Sequence, residues 1–160
     1  MDYRGYVILV SIAEPFAGSL SEERLAATAR RVLEAEDAPA CELSVTVTDD
    51  ETVRSLNREY AGEDAVTDVL SFSQREGEEF AAPPEGVPPL GEVVIAYPQA
   101  LRQAQDRQAQ GEREWSVERE IERLLVHGVL HLLGYDHAEP EEARRMRERE
   151  DTLAGDAGAG

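Results

Sequence analysis

The three histidines of this chain, His127, His131 and His137, fall within eleven residues reading H-G-V-L-H-L-L-G-Y-D-H. In a helix turning ~100° per residue, side chains four apart project from one face with ~40° between them, so His127 and His131 point the same way. Gly134, three residues after His131, is the residue type that ends a helix in the left-handed conformation, because it has no Cβ to clash. The chain can then turn back and bring His137 beside the pair. Three neutral imidazoles leave the fourth tetrahedral position open, the layout of a catalytic zinc rather than a structural one. An ion held this way keeps its full charge, lowers the pKa of bound water toward ~7 and can polarise a phosphoryl oxygen. The alternative is a set of core or capping histidines on a buried helix. That every histidine falls into metal-ligand spacing, with the turn glycine in place, favours the metal.

The spacing agrees with the zinc-protease string H-E-x-x-H-x-x-G-x-x-H at every position but one. Where that string carries the glutamate that serves as general base, this chain has Gly128. The metal frame is present and the base for peptide hydrolysis is not.

Positioning these residues requires a scaffold, and the pattern of apolar residues supplies one. Tyr3 to Ala13 is strand-like, and Ser19 with Glu22 forms a capping box for a helix carrying Leu25, Ala29, Val32 and Leu33 to about Glu36. Leu43, Val45 and Val47 alternate with polar residues, a strand with one buried face. Asp49 or Asp50 caps a short helix with Val53, Leu56 and Tyr60 at helical spacing. Thr67 to Ser73 reads as a strand too polar for a sheet centre, hence an edge. Gln74 to Pro89 is an acidic, proline-rich loop, and Leu90 to Tyr97 is apolar on both faces, hence a central strand. A helix from about Pro98 breaks near Gly111, and a second, roughly Val117 to Leu133, carries His127 and His131. Its last two turns are apolar nearly all round, which marks a helix buried in the core. Pro140 starts a charged helix with a narrow docking stripe of Ala143, Met146 and Leu153, and 154–160 is expected to be a flexible tail after one domain of residues 1–153. The order β-α-β-α-β-β-α-α-α implies an α+β fold, a small mixed sheet with helices on its faces.

Composition bounds the function. At 160 residues one domain can bury roughly 70% of its unfolded surface. Cys41 is the only cysteine, which excludes an internal disulfide and a thiolate metal cluster. The N-terminal apolar run Val7 to Val10 is too short to span a membrane, and no basic segment precedes it, so a cytoplasmic protein is expected. Formal charge is −18, from 34 acidic residues against 16 basic ones, all arginine. Such a surface repels nucleic acid at long range, so any RNA must be delivered by a local arginine cluster or a docking partner.

The string H-G-x-L-H-L-x-G-Y-D-H resembles the signature of the YbeY family of ribosomal-RNA maturation endoribonucleases. Leu56 to Phe72 (L-N-R-E-Y-A-G-E-D-A-V-T-D-V-L-S-F) is similar to the family's other signature, and Leu90 to Ile95 to its following strand. The resemblance implies four strands, three parallel plus an antiparallel edge strand walling the cleft, with the zinc helix crossing the sheet in the core. It implies zinc, with nickel as a possible substitute, held by His127, His131 and His137. It implies cleavage of single-stranded ribosomal RNA, not DNA, in 3′-end maturation and quality control of the small ribosomal subunit. Asp136 is a candidate acceptor for a ligand imidazole, or a turn residue. Ser71 is a candidate phosphate or base contact, and Asp68 on the same strand is preferred as a turn residue. Where the family reads Y-R-G-K-D the chain has Tyr60-Ala61-Gly62-Glu63-Asp64, so the expected phosphate-facing arginine is Ala61, and Arg58 or Arg75 are its candidate substitutes. Two rival readings are a zinc peptidase and a non-catalytic ribosome-assembly factor.

Overall fold

A computed structural model describes residues 5–62, 67–73, 87–135 and 139–159, with backbone alone at 61 and 154–159. Among the described residues ten elements follow one another: β1 (Val7–Ile12), α1 (Glu14–Ala17), α2 (Glu22–Ala35), β2 (Glu42–Thr48), α3 (Asp50–Ala61), β3 (Val69–Ser73), β4 (Pro89–Ala96), α4 (Tyr97–Ala109), α5 (Val117–Leu132) and α6 (Pro140–Ala159). The sheet order is β1-β2-β4-β3. β1, β2 and β4 are parallel, and β3 runs antiparallel to β4 with Ser71 opposite Val93. The expected mixed sheet, its central β4 and its antiparallel edge strand are all present.

The two faces of β4 explain the layering. Val93 and Ile95 point to one side and join Leu43, Val45 and Val47 with the apolar faces of α2 and α5. Val94 and Ala96 point to the other, where Val53 of α3 meets them with Leu56, Leu70 and Phe72 around it. Alternation on β3 follows: Leu70 and Phe72 face α3, so Ser71 faces α5. α6 lies against α5 through Met146 and Leu153, both buried.

Several boundaries differ from the sequence reading. The first strand begins at Val7, because Gly5 turns the chain at φ 78° and Tyr6 is buried, donating its hydroxyl to the Leu33 and Ala38 carbonyls. A short helix, α1, precedes α2, and its Pro15 is suited to a first turn. The cap of α2 is therefore Ser21, whose hydroxyl accepts from the Arg24 amide, and not Ser19, whose own amide closes the turn after α1 on the Phe16 carbonyl. Helical backbone in α6 reaches Ala159, into the segment expected as a tail. Residues 74–86 of the expected loop lie outside the described part. Among the described residues no helix is long and apolar enough to cross a membrane.

Asp49 caps α3, its carboxylate accepting from the Thr52 amide at 2.7 Å. That bond holds its pKa below the ordinary carboxylate value. The stabilisation is thus present above the ordinary value and is lost as pH falls through the depressed one. Asp49→Ala should cost about 1 kcal/mol in urea unfolding at pH 7. The difference from the parent should shrink steadily on acidification to pH 3, and a gap that stays constant with pH would exclude the cap as its source.

Candidate metal centre

The helix that carries the histidines is held at a fixed depth on the sheet. At Gly128 a Cβ would lie 2.7 Å from a Val93 methyl and 3.1 Å from Ser71 Oγ, so only glycine permits this approach. The Ser71 hydroxyl donates to the Gly128 carbonyl at 3.2 Å, tying the edge strand to the helix at the same point. A second close passage lies one turn on, where a Cβ at Gly91 would meet Phe72 O at 2.3 Å and the Leu132 side chain at 2.9 Å. Position 128, where zinc proteases carry their base, therefore faces β4 and has no room for a carboxylate.

Polar groups anchor the other half of α5. Glu120 is fully buried and is held by Trp115 Nε1 at 2.9 Å, Arg107 at 3.1 Å and Arg123 at 3.6 Å. Glu122, also buried, pairs with Arg24 of α2. Burial pushes its pKa up despite that guanidinium. These contacts fix the rotation of α5, and with it the direction in which His127 and His131 point.

The two imidazoles stand 6.2 Å apart between ring centres, with 25° between their planes. His131 Nδ1 lies 2.9 Å from the Tyr135 carbonyl oxygen. A carbonyl only accepts, so Nδ1 carries the proton and, in the neutral ring, Nε2 carries the lone pair. His127 Nδ1 lies 2.5 Å from Glu150 Oε2 of α6, and a carboxylate assigns the same tautomer. Both rings are thus held as Nε2 donors, the state a metal ligand requires.

The partners of the two rings are themselves braced. Glu150 is 7% exposed and lies 3.8 Å from Arg123 through its other oxygen. Tyr135 donates its hydroxyl to Glu36 at 2.6 Å, and Arg149 of α6 donates to the other Glu36 oxygen. Burial, and then the Glu36 carboxylate accepting its proton, hold the Tyr135 hydroxyl above the ordinary phenol pKa, so it remains a donor. The end of α2, the turn after α5 and α6 are thereby joined behind His131.

Glu150 and Tyr135 were not singled out from sequence. Glu150 had a legible signal, since it sits between Met146 and Leu153 on the apolar stripe of an otherwise charged helix. A backbone carbonyl has none. His137 and Asp136 lie outside the described residues, as do Glu63, Asp64, Arg75 and the side chain of Ala61. Among the described residues alone no group of three His, Cys, Asp or Glu side chains could hold a metal. Ser71 is brought to the histidine helix. Arg58 is exposed on α3, which covers the opposite face of the sheet. Asp68 accepts from Gln103 Nε2 at 3.1 Å, at the turn leading into β3.

In front of His127 a cavity of about 250 Å³ is bounded by Asp68 and Val69 of the edge-strand approach, Arg123 of α5, and Arg147 and Glu150 of α6. It is large enough for a phosphate and part of a ribose, and it opens beside a ring whose Nε2 is the electron-pair donor.

A family model described as Endoribonuclease YbeY matches residues 14–158. An Endoribonuclease YbeY of Symbiobacterium thermophilum is 46% identical over 84% of this chain and 85% of its own length. The protein of that name from Roseiflexus castenholzii is 36% identical over 99% of this chain and 97% of its own. The solution structure of a Thermotoga maritima protein superposes with a TM-score of 0.61 at 21% identity, covering 94% of this chain and 89% of that one, a likeness of fold.

Gly128→Ala should destabilise the protein by about 1–3 kcal/mol, the usual cost of forcing extra volume into a packed contact. Urea unfolding of Gly128→Ala beside Gly111→Ala, whose added methyl would meet nothing within 4 Å but sits at φ 114°, separates crowding from backbone strain. Adding Val93→Ala to Gly128→Ala should recover stability, whereas additive losses would exclude the contact.

Proposed function

The chain belongs to the endoribonuclease YbeY family, and from that premise we propose that it is a zinc-dependent endoribonuclease acting on single-stranded ribosomal RNA in maturation of the small-subunit 3′ end, in the cytoplasm. The observation that carries the reading is the pair of imidazoles fixed through Nδ1, one by a carboxylate and one by a carbonyl. Such an acceptor places the lone pair on Nε2 of each ring and sets the orientation and basicity that a ligand needs, on two rings of one helix face. His127 and His131 would hold zinc, or nickel in its place, with His137 as third ligand. The ion would supply Lewis acidity toward a phosphoryl oxygen and toward water.

The remaining residues orient and enclose. Glu150 holds His127 and keeps its proton on Nδ1, while Tyr135 does so for His131 through its carbonyl. Ser71 acts by fixing the edge strand against α5, which sets the width of the cleft. Arg58 lies on α3, across the sheet from the histidine pair, and is given no role at the reacting phosphate. Peptide hydrolysis is disfavoured because position 128 is packed against Val93 and cannot carry a base.

Protein purified without added metal should contain about one zinc or nickel per chain by elemental analysis, and His131→Ala should contain little. A chain that stays metal-free in zinc-containing buffer would remove the centre. The loaded protein should cut a fluorescent single-stranded RNA, His131→Ala should not, and casein should stay intact. Ala61→Arg should raise the cleavage rate about 10-fold, as one charged contact of about 1.5–3 kcal/mol allows. If neither form cuts RNA yet both bind the small ribosomal subunit, the assembly-factor reading replaces this one.

A further inference from the structure

We propose that Arg147 of α6 anchors a phosphate of the RNA strand as it crosses the cavity in front of His127. The inference rests on the nuclease reading for its substrate class and on the geometry of the cavity for its residue. Arg147 is exposed and borders the cavity together with His127, Asp68 and Glu150. It follows Met146, which is buried against α5, and precedes Glu150 by three residues. Helical spacing therefore sets its guanidinium at the mouth on the side of the histidine pair.

What distinguishes Arg147 is the state of its neighbours. With 34 acidic residues against 16 arginines, carboxylates are plentiful, and Arg123, Arg144 and Arg149 are paired with them, whereas Arg145, which makes no ion pair among the described residues, borders a separate pocket beside Gly134. Arg144 bridges Glu141 and Glu148, Arg149 is bound to Glu36, and Arg123, the other cation of the cavity, lies against Glu120 and Glu150. The carboxylates that line the cavity are also engaged, Asp68 by Gln103 and Glu150 by His127 and Arg123. Among the described residues Arg147 makes no hydrogen bond or ion pair. A guanidinium held at a cavity mouth, with its fork of donors unspent, matches a phosphate bidentately. It also gives a strongly acidic protein one local point of attraction for a polyanion, where the bulk charge offers none.

The test uses the full chain and a labelled 2′-O-methyl RNA oligonucleotide, which binds but lacks the 2′-hydroxyl. Fluorescence anisotropy over a salt series would compare the parent with Arg147→Ala, Arg147→Lys and Arg144→Ala, each checked for an unchanged thermal midpoint. Arg147→Ala should raise Kd about 10-fold, as expected for one charge-assisted contact. It should also flatten the slope of log Kd against log salt by about 0.7. Arg147→Lys should recover part of the affinity, and Arg144→Ala should stay within about twofold of the parent, as expected for an exposed pair. Parent-like binding and slope in Arg147→Ala would overturn the proposal. So would equal losses in Arg144→Ala and Arg147→Ala, which would report bulk charge only. Cleavage of unmodified RNA, run alongside, separates the two claims. Cutting that ignores Arg147 refutes the anchor and leaves the nuclease, whereas Arg147-dependent binding without cutting refutes the nuclease and leaves the anchor. A parent that binds no RNA at low salt refutes both.

Discussion

The contact between α5 and the sheet at Gly128 is the constraint from which the site follows. With a hydrogen in place of a side chain, the helix backbone comes down onto Val93 and within hydrogen-bond reach of Ser71. That depth sets where His127 stands relative to Asp68 and Val69 of the edge-strand approach, which line one cavity with it. A helix one methyl farther out would lose the Ser71 bond and shift both imidazoles relative to the wall they work against. The same contact leaves no room at position 128 for the glutamate that the zinc-protease spacing would place there. The position that would bear the base is used for packing.

The acidic excess is directed inward as well as outward. Glu36, Glu120, Glu122 and Glu150 are buried or nearly so, and arginines reach all four. Arginine suits this task better than lysine, because its planar fork can satisfy a carboxylate from a partly buried position and cannot lose its proton. Pairs of this kind contribute little net stability, since desolvation offsets attraction and the arginine ends remain partly solvated. Their effect is directional. They select one rotation of α5 and one docking of α6, so the orientation of two small rings is set by long-range chain packing.

Much of this was readable beforehand. Strict alternation from Leu43 to Val47, and the two-sided apolarity of β4, located the centre of the sheet, while Ser71 and Ser73 gave away its edge. The histidine pair was visible because i,i+4 spacing needs no knowledge of the rest of the fold. What escaped depended on distant parts of the chain. Glu150 meets His127 from 23 residues away, and its place on the α6 stripe acquires meaning only once α6 is known to dock on α5. Tyr135 acts on His131 through its main chain, which every residue shares. Ser19 imitates a capping box because Glu22 lies three residues on, but Pro15 starts α1 just ahead of it and the cap of α2 is Ser21.

The reach from His127 to Glu150 has a consequence for how the protein comes into being. During translation the histidine helix leaves the ribosome well before the carboxylate that orients one of its rings. Until α6 has emerged and packed, His127 can hold its proton on either nitrogen, and Arg149 has not yet braced the turn that positions His131. A nascent chain can therefore possess the whole sheet while His127 still lacks the carboxylate that orients its ring. The orientation of the two rings is thus completed only when α6 docks on α5, so the order of synthesis places this step after the sheet has formed.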